Sequence, residues 1–299
     1  MIVKSKIPIL YLFNELKIPL FYVVLIACIT GILPIYFRSF LSDIPISISS
    51  TLGVAISILL SYMINQSYDR WWEARKIWGS IVNDSRTLVL QLQMYMRDDH
   101  PEIDSIAKRQ ITWNYCLGMV LRKQSVTELI KEKLQVKDYE FIKKYHNVPL
   151  GILSIQSHAV KQLHDDGELD KFSQIKIEET LTRLTESMGK CERIKNTVFP
   201  PIYRYGLHTS IYLFVIFLSL SVAFKLQHFA LEFFILVIVS TVFFFLEKAA
   251  FRMQDPFENI PTDTPMTKIA ENIENDILEL LNQNIENKDS SSPQSFYTM

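Results

Sequence analysis

The stretch Ile44–Gly79 reads IPISISSTLGVAISILLSYMINQSYDRWWEARKIWG. From Ile44 to Tyr68 it carries no Lys, Arg, Asp or Glu; then Trp71 and Trp72 arrive together among Asp69, Arg70, Glu73, Arg75 and Lys76. An uncharged run of this length suffices to cross roughly 30 Å of hydrocarbon, which takes about 20 apolar residues in a helix. Tryptophan gathers at the membrane–water interface and basic residues gather just inside it, so RWWEARK marks where the span leaves the bilayer. The helical pattern continues past that boundary, because IWGSIVNDSRTLVLQLQMYM, residues 77–96, keeps an apolar stripe for several more turns. The span is therefore expected to be one long helix, with Asp69 or Glu73 pairing against Arg70, Arg75 and Lys76 along it.

Three other segments have the length and composition of a span. They are Ile18 to Phe37, about Tyr205 to Phe224, and Leu226 to Leu246, the last interrupted only by Glu232. The links between spans one and two and between spans three and four hold only Arg38 and Lys225 as basic residues. The opposite ends hold Lys4, Lys6 and Lys17, then Arg70, Arg75 and Lys76, then Lys248 and Arg252. Basic residues mark the cytoplasmic side, which puts both termini and the long middle segment in the cytoplasm. No small-residue cleavage site follows the first apolar run, so it is not read as a signal peptide.

The chain has 299 residues, of which 48% are hydrophobic and 21% charged, a mixture that suits spans joined to a polar body. A formal net charge of -1 argues against a nucleic-acid binder. Cys28, Cys116 and Cys191 lie far apart and form no CxxC pair, so neither a disulfide framework nor a zinc site is expected. The sequence holds no GxGxxG, GxxxxGK[ST] or HExxH. No catalytic residue, metal or cofactor is expected, and an intramembrane enzyme is disfavoured because the spans carry no cluster of Asp, His, Ser or Cys.

Between Arg70 and Pro200 apolar residues recur at helical spacing, as in Leu117, Val120, Leu121 and in Ile177, Leu181, Leu184, Met188, while strand alternation is rare. Breaks are expected at His100-Pro101, at Val148-Pro149 and from His164 to Gly167. The expected organisation is all-α: 1–69 with an N-terminal segment and two spans, 70–200 a cytoplasmic helical domain, 201–248 two further spans, 249–284 an extended Pro-rich strap and a last helix, and 285–299 a disordered tail.

The second span has two stripes. Ser49, Gly53, Ser57 and Ser61 recur every four residues, and small residues let another helix approach closely. Beside them run Ser50, Val54, Ile58 and Tyr62. Periodicity leaves open whether this second stripe faces lipid, a sister helix or a narrow passage.

SYDRWWEARKIWGSIVNDSR, CERIKNTVFPPIYRYGLH (Cys191–His208) and MQDPFENIPTDTPMTKIAENIENDILELL (Met253–Leu281) together resemble the bestrophin family in its bacterial branch. Arg70, Trp71, Trp72 and Glu73 carry the first of these motifs. The resemblance implies a homopentameric ion channel in the lipid bilayer, with span two of each subunit lining one central pore. It places the pore neck on Val54, Ile58 and Tyr62, the last of which stands where the family usually has Phe. It places a cytoplasmic aperture on Ile175, with Ser173 or Ile177 as alternatives. It implies passage of monovalent ions, cations by similarity to bacterial members and anions by similarity to animal ones.

Animal members hold Ca²⁺ partly with an acidic cluster after the span-four turn. Here Asp255 to Asp263 offers only Glu258 and Asp263 beyond the turn, with Ile260 where a carboxylate is expected. Calcium takes about six to eight oxygen ligands, so no calcium gating is expected. Glu232 is expected to reach interface water, His208 to be hydrogen-bonded, His158 and His164 to lie on the surface, and Arg183 and Glu186 to belong to a solvated or intersubunit face. A membrane-anchored helical scaffold or sensor without a pore is the competing reading.

Overall fold

A computed structural model describes residues 9–37, 44–97, 99–197, 200–225 and 229–283. The tail at 285–299, and the basic residues Lys4, Lys6 and Arg38 used for orientation, lie outside the described residues. Among those described there are ten α-helices and no strand. The described residues divide into two compact units, one drawn from 9–71 and 200–254 and one from 72–197 and 255–283.

The first unit contains α1 (Ile9–Phe37), the opening half of α2 (Ile46–Tyr95), α8 (Pro201–Lys225) and α9 (Phe229–Gln254). All four helices are long and apolar enough to cross a membrane. Helices suit that environment because each satisfies its own backbone donors and acceptors. Val23 and Ala27 of α1, Ile56 and Leu60 of α2, Ile211 of α8 and Phe244 of α9 form the buried centre. Phe21, Phe234 and Ile238 remain exposed.

α1 and α9 are longer than the uncharged runs of their sequences. α1 begins at Ile9 rather than Ile18, and α9 runs to Gln254 rather than stopping near Leu246 or Lys248. The reason is that the flanking charges find partners inside the unit. Arg252 Nη2 lies 2.6 Å from Glu15 Oε1. Glu247, buried in α9, takes a 2.8 Å bond with His208 Nδ1 of α8. Hydropathy measures the apolar run only, and these pairs extend the helices beyond it.

The second unit contains the rest of α2 with α3 (Pro101–Leu121), α4 (Thr127–Lys133), α5 (Val136–Ile142), α6 (Val148–Asp165), α7 (Lys171–Asn196) and α10 (Met266–Leu280). Three of its helix starts, those of α3, α6 and α7, are capped by side chains. His100 Nδ1 accepts from the Glu102 amide at 3.2 Å, and Pro101 opens α3 without needing a donor. Asn147 Oδ1 accepts from the Leu150 amide at 3.1 Å ahead of Pro149. Asp170 Oδ1 accepts from the Phe172 and Ser173 amides at 2.8 and 3.2 Å. Gly167, at φ +80°, reverses the chain after α6 in a conformation that few residues other than glycine adopt.

Trp78 of α2 and Trp113 of α3 are the largest side chains wholly buried in this unit, packed with Ile81, Leu88, Leu117 and Ile152. A polar thread runs through the same core. Gln110 Nε2 donates to Ser85 Oγ at 2.8 Å, Asn114 Nδ2 to the same oxygen at 3.3 Å, and Gln156 Nε2 to Gln110 Oε1 at 3.2 Å. Arg109 and Asp138, both buried, form an ion pair with Nε to Oδ2 at 2.8 Å. Arg86 holds α10 through Asp276 at 2.6 Å.

The segment between α9 and α10 is a string of turns and not the extended strap anticipated from its prolines. Asp263 organises it: Oδ2 accepts from the Asn259 and Ile260 amides at 2.6 and 3.2 Å, and the Thr264 amide bonds the Pro256 carbonyl at 3.2 Å. Lys195 of α7 reaches the Phe257 carbonyl at 3.3 Å and also pairs with Asp255.

Candidate permeation path

α2 turns a buried face to its own unit through Ser49, Ile56, Leu60, Met63 and Ser67. Their spacing of three to seven residues follows the 3.6-residue turn. Val54, Ile58 and Tyr62 lie on another face and are exposed in the single chain, at 61%, 65% and 55%. They form a row of large exposed side chains on the uncharged part of α2, where Ile48 and Leu59 are exposed as well.

The small-residue stripe divides. Ser49 is buried, with Oγ 3.4 Å from Ser221 Oγ of α8, and Gly53 lets the Phe214 ring come close enough that a Cβ there would be 3.1 Å away. Ser57 and Ser61 are exposed, and the Ser57 hydroxyl turns back to the Gly53 carbonyl at 2.7 Å. A four-residue step precesses by about 40° on a helix of 3.6 residues per turn, so the stripe winds from the buried face to the open one.

The motif after the span is held by distant partners and not by pairing along the helix. Arg70 Nε donates to the Gln254 carbonyl at 2.9 Å. Trp71 stacks on Tyr68 with ring centres 6.0 Å apart, and Trp72 is exposed. Glu73 is paired with Arg193 of α7 at 2.8 Å. The expected pairing of Asp69 or Glu73 with Arg70, Arg75 and Lys76 is therefore corrected. Arg193 and Gln254 lie 120 and 184 residues from their partners, and no local pattern reveals them.

Of the three aperture candidates, Ile177 is in the core and Ser173 is buried with its hydroxyl on Asp170, while Ile175 is 42% exposed. Only Ile175 presents an apolar side chain outward. Glu232 is also a correction: it is 3% exposed and accepts from the Ser219 hydroxyl at 3.3 Å instead of reaching water. Ser219 in turn bonds Thr30 of α1, so a carboxyl set early in α9 is drawn into a small polar knot. His158 is exposed, and His164 is half-buried with Nδ1 on the Leu169 carbonyl at 3.0 Å. Arg183 pairs with Asp84 at 2.7 Å, and Glu186 with Lys190 at 3.5 Å.

The turns after α9 carry three carboxylates, Asp255, Glu258 and Asp263. Asp263 is buried with one oxygen already engaged by two amides, and Asp255 is engaged by Lys195. Among the described residues no three His, Cys, Asp or Glu side chains converge as metal ligands.

Comparison with known proteins agrees with this arrangement. A family model described as bacterial/fungal bestrophin protein matches residues 10–279. The voltage-dependent anion channel-forming protein YneE of Escherichia coli K12 is 32% identical over 231 residues, covering 77% of this chain and 75% of that one. A similarly named protein of Ralstonia nicotianae, RSc3414, is 26% identical over 236 residues, covering 78% and 76%. A crystal structure of a bacterial bestrophin homolog from Klebsiella pneumoniae superposes with a TM-score of 0.85 at 26% identity, over 90% of this chain and 100% of that one. Four apolar helices of spanning length, the Arg70–Glu73 motif and a family match over most of the chain lead to one assignment: this multi-pass membrane protein belongs to the bacterial and fungal bestrophin family.

Proposed function

We propose that the chain is the subunit of a homopentameric ion channel in the bacterial inner membrane, with both termini cytoplasmic. Val54, Ile58 and Tyr62 of each copy form the neck of its central pore. One observation carries this reading: three large apolar side chains stand exposed in a row on a span with no charge between Ile46 and Tyr68. A ring of such groups gates by dewetting and makes a permeating ion shed water. Rotationally related copies close into a ring through heterologous contacts. Ser57 and Ser61, exposed beside the neck stripe, suit close approach of a neighbouring helix. Ile175 is the proposed cytoplasmic aperture. The channel is not calcium-gated on this reading, because the turns after α9 offer only Asp255, Glu258 and Asp263 as carboxylates, and Asp255 and Asp263 Oδ2 are engaged by Lys195 and two amides.

The ions carried are monovalent, and the reading adopted is cations. Anion passage is the second reading, favoured by the names of the curated relatives. The test is planar-bilayer recording of the purified protein and of Ile58→Ala. A widened neck raises conductance; conductance and selectivity identical to wild type would remove Ile58 from the path.

A further inference from the structure

We infer that Asp69 is a specificity-determining residue, a ring of carboxylates just inside the neck that concentrates cations. The inference rests on the channel reading of α2 and adds to it the side chain that sets the sign of the ion. Asp69 is exposed, and among the described residues it makes no ion pair or hydrogen bond. Its charged neighbours are occupied: Arg70 turns to the Gln254 carbonyl and Glu73 to Arg193. Asp69 follows Tyr62 by seven residues in the same helix, which returns it to within about 20° of Tyr62 and carries it about 10 Å along the axis. The carboxylate therefore continues the line of Val54, Ile58 and Tyr62, and it is the first charge on that line after the uncharged run.

Lys76 is the competing charge, being exposed and on the same helical line. It is fourteen residues from Tyr62, about 21 Å along an ideal helix. With a Debye length of about 8 Å at physiological salt, its screened effect at Tyr62 is roughly eightfold weaker than that of Asp69. The nearer carboxylate decides the sign.

The experiment is reversal-potential measurement of the purified full chain across a KCl gradient, for wild type, Asp69→Asn, Asp69→Glu, Lys76→Gln and Ile58→Ala. A site potential on the order of kT predicts that Asp69→Asn lowers the potassium-to-chloride permeability ratio at least about threefold. Asp69→Glu retains the wild-type ratio and Lys76→Gln changes it less than Asp69→Asn does. The difference between wild type and Asp69→Asn collapses near 1 M salt, where the Debye length is about 3 Å. An anion-selective wild type, or an Asp69→Asn ratio equal to wild type at low salt, overturns the inference. If Ile58→Ala still alters conductance, the neck stands without Asp69; if neither variant differs from wild type, the channel reading of α2 fails and Asp69 with it.

Discussion

The ring of Phe214 packs tightly against Gly53, its Cε2 only 3.1 Å from where a Cβ would stand. Phe214 cannot simply retreat, since it is buried and lies edge-on to Phe243 with ring centres 5.1 Å apart. Alanine gains about 1 kcal/mol of helix propensity over glycine, while overpacking costs about 1–3 kcal/mol. Gly53→Ala should therefore lower stability by up to about 2 kcal/mol, and Gly53→Leu by more. Thermal unfolding in detergent measures both; an unchanged Gly53→Leu midpoint would show that α2 and α8 are not in close contact.

Asp138 neutralises Arg109 inside the core of the second unit, with Nε to Oδ2 at 2.8 Å and both side chains buried. Removing one partner leaves a buried, uncompensated charge, so Asp138→Ala should cost about 3–5 kcal/mol. Glu102, 3.4 Å from Arg109, only partly replaces it. The double change Arg109→Met with Asp138→Leu should recover most of the loss in a denaturant titration. Additive losses in that cycle would mean the two residues do not interact.

Asp263 makes the turns after α9 sensitive to pH. Burial raises its carboxyl from 3.8 to about 6, the two amide bonds oppose that rise, and the charges of Asp255 and Glu258 add to it. A carboxyl that is less acidic in the folded state favours folding most when protonated, below about pH 4. That contribution is lost as pH rises through about 6. Asp263→Asn keeps an acceptor for the Asn259 and Ile260 amides and removes the charge. The protection factors of those amides, taken against the intrinsic exchange rate at each pH, should then rise at pH 7 and lose their dependence between pH 4 and 6. Faster exchange in the Asn variant at pH 7 would mean that the carboxylate charge holds the turns.

Tyr62 puts a hydroxyl into the proposed neck. Without it the ring dewets more readily. Tyr62→Phe should lower single-channel conductance, and Tyr62→Ala should raise it. Equal conductance in all three proteins would place Tyr62 off the path.

Burial pushes the Cys116 and Cys191 thiols up to about 12, and the charges of Glu192 and Glu73 add to the effect at Cys191. The thiolate is the nucleophile, so neither should react with maleimide near neutral pH while the fold is intact. Mass spectrometry of a Cys28→Ser protein checks this; labelling without denaturant would show that the core opens.

Much of the helical plan was legible because it depends on local signals. Uncharged length marks a span, and Pro101, Pro149 and Gly167 mark breaks with a mechanism at each site. The short α4 and α5 were missed, being single seven-residue elements too brief to show periodicity. Partners were not legible. Periodicity tells which face of a helix is apolar, but Glu73–Arg193, Arg70–Gln254 and the burial of Glu232 against Ser219 depend on which elements meet. The string of turns after α9 depends on one capping carboxylate, Asp263, which composition alone does not distinguish from a solvated acid.

The 2.6 Å pair between Glu15 and Arg252 bears on how the protein can be engineered. A reporter or affinity handle fused ahead of Ile9 leaves the tether untouched. Trimming the chain to the start of its uncharged stretch at Ile18 deletes Glu15 and strands a guanidinium at the end of α9, two residues from the carbonyl that receives Arg70. Shortened versions chosen from hydropathy alone would thus loosen the end of α9, more than 230 residues along the chain from the cut.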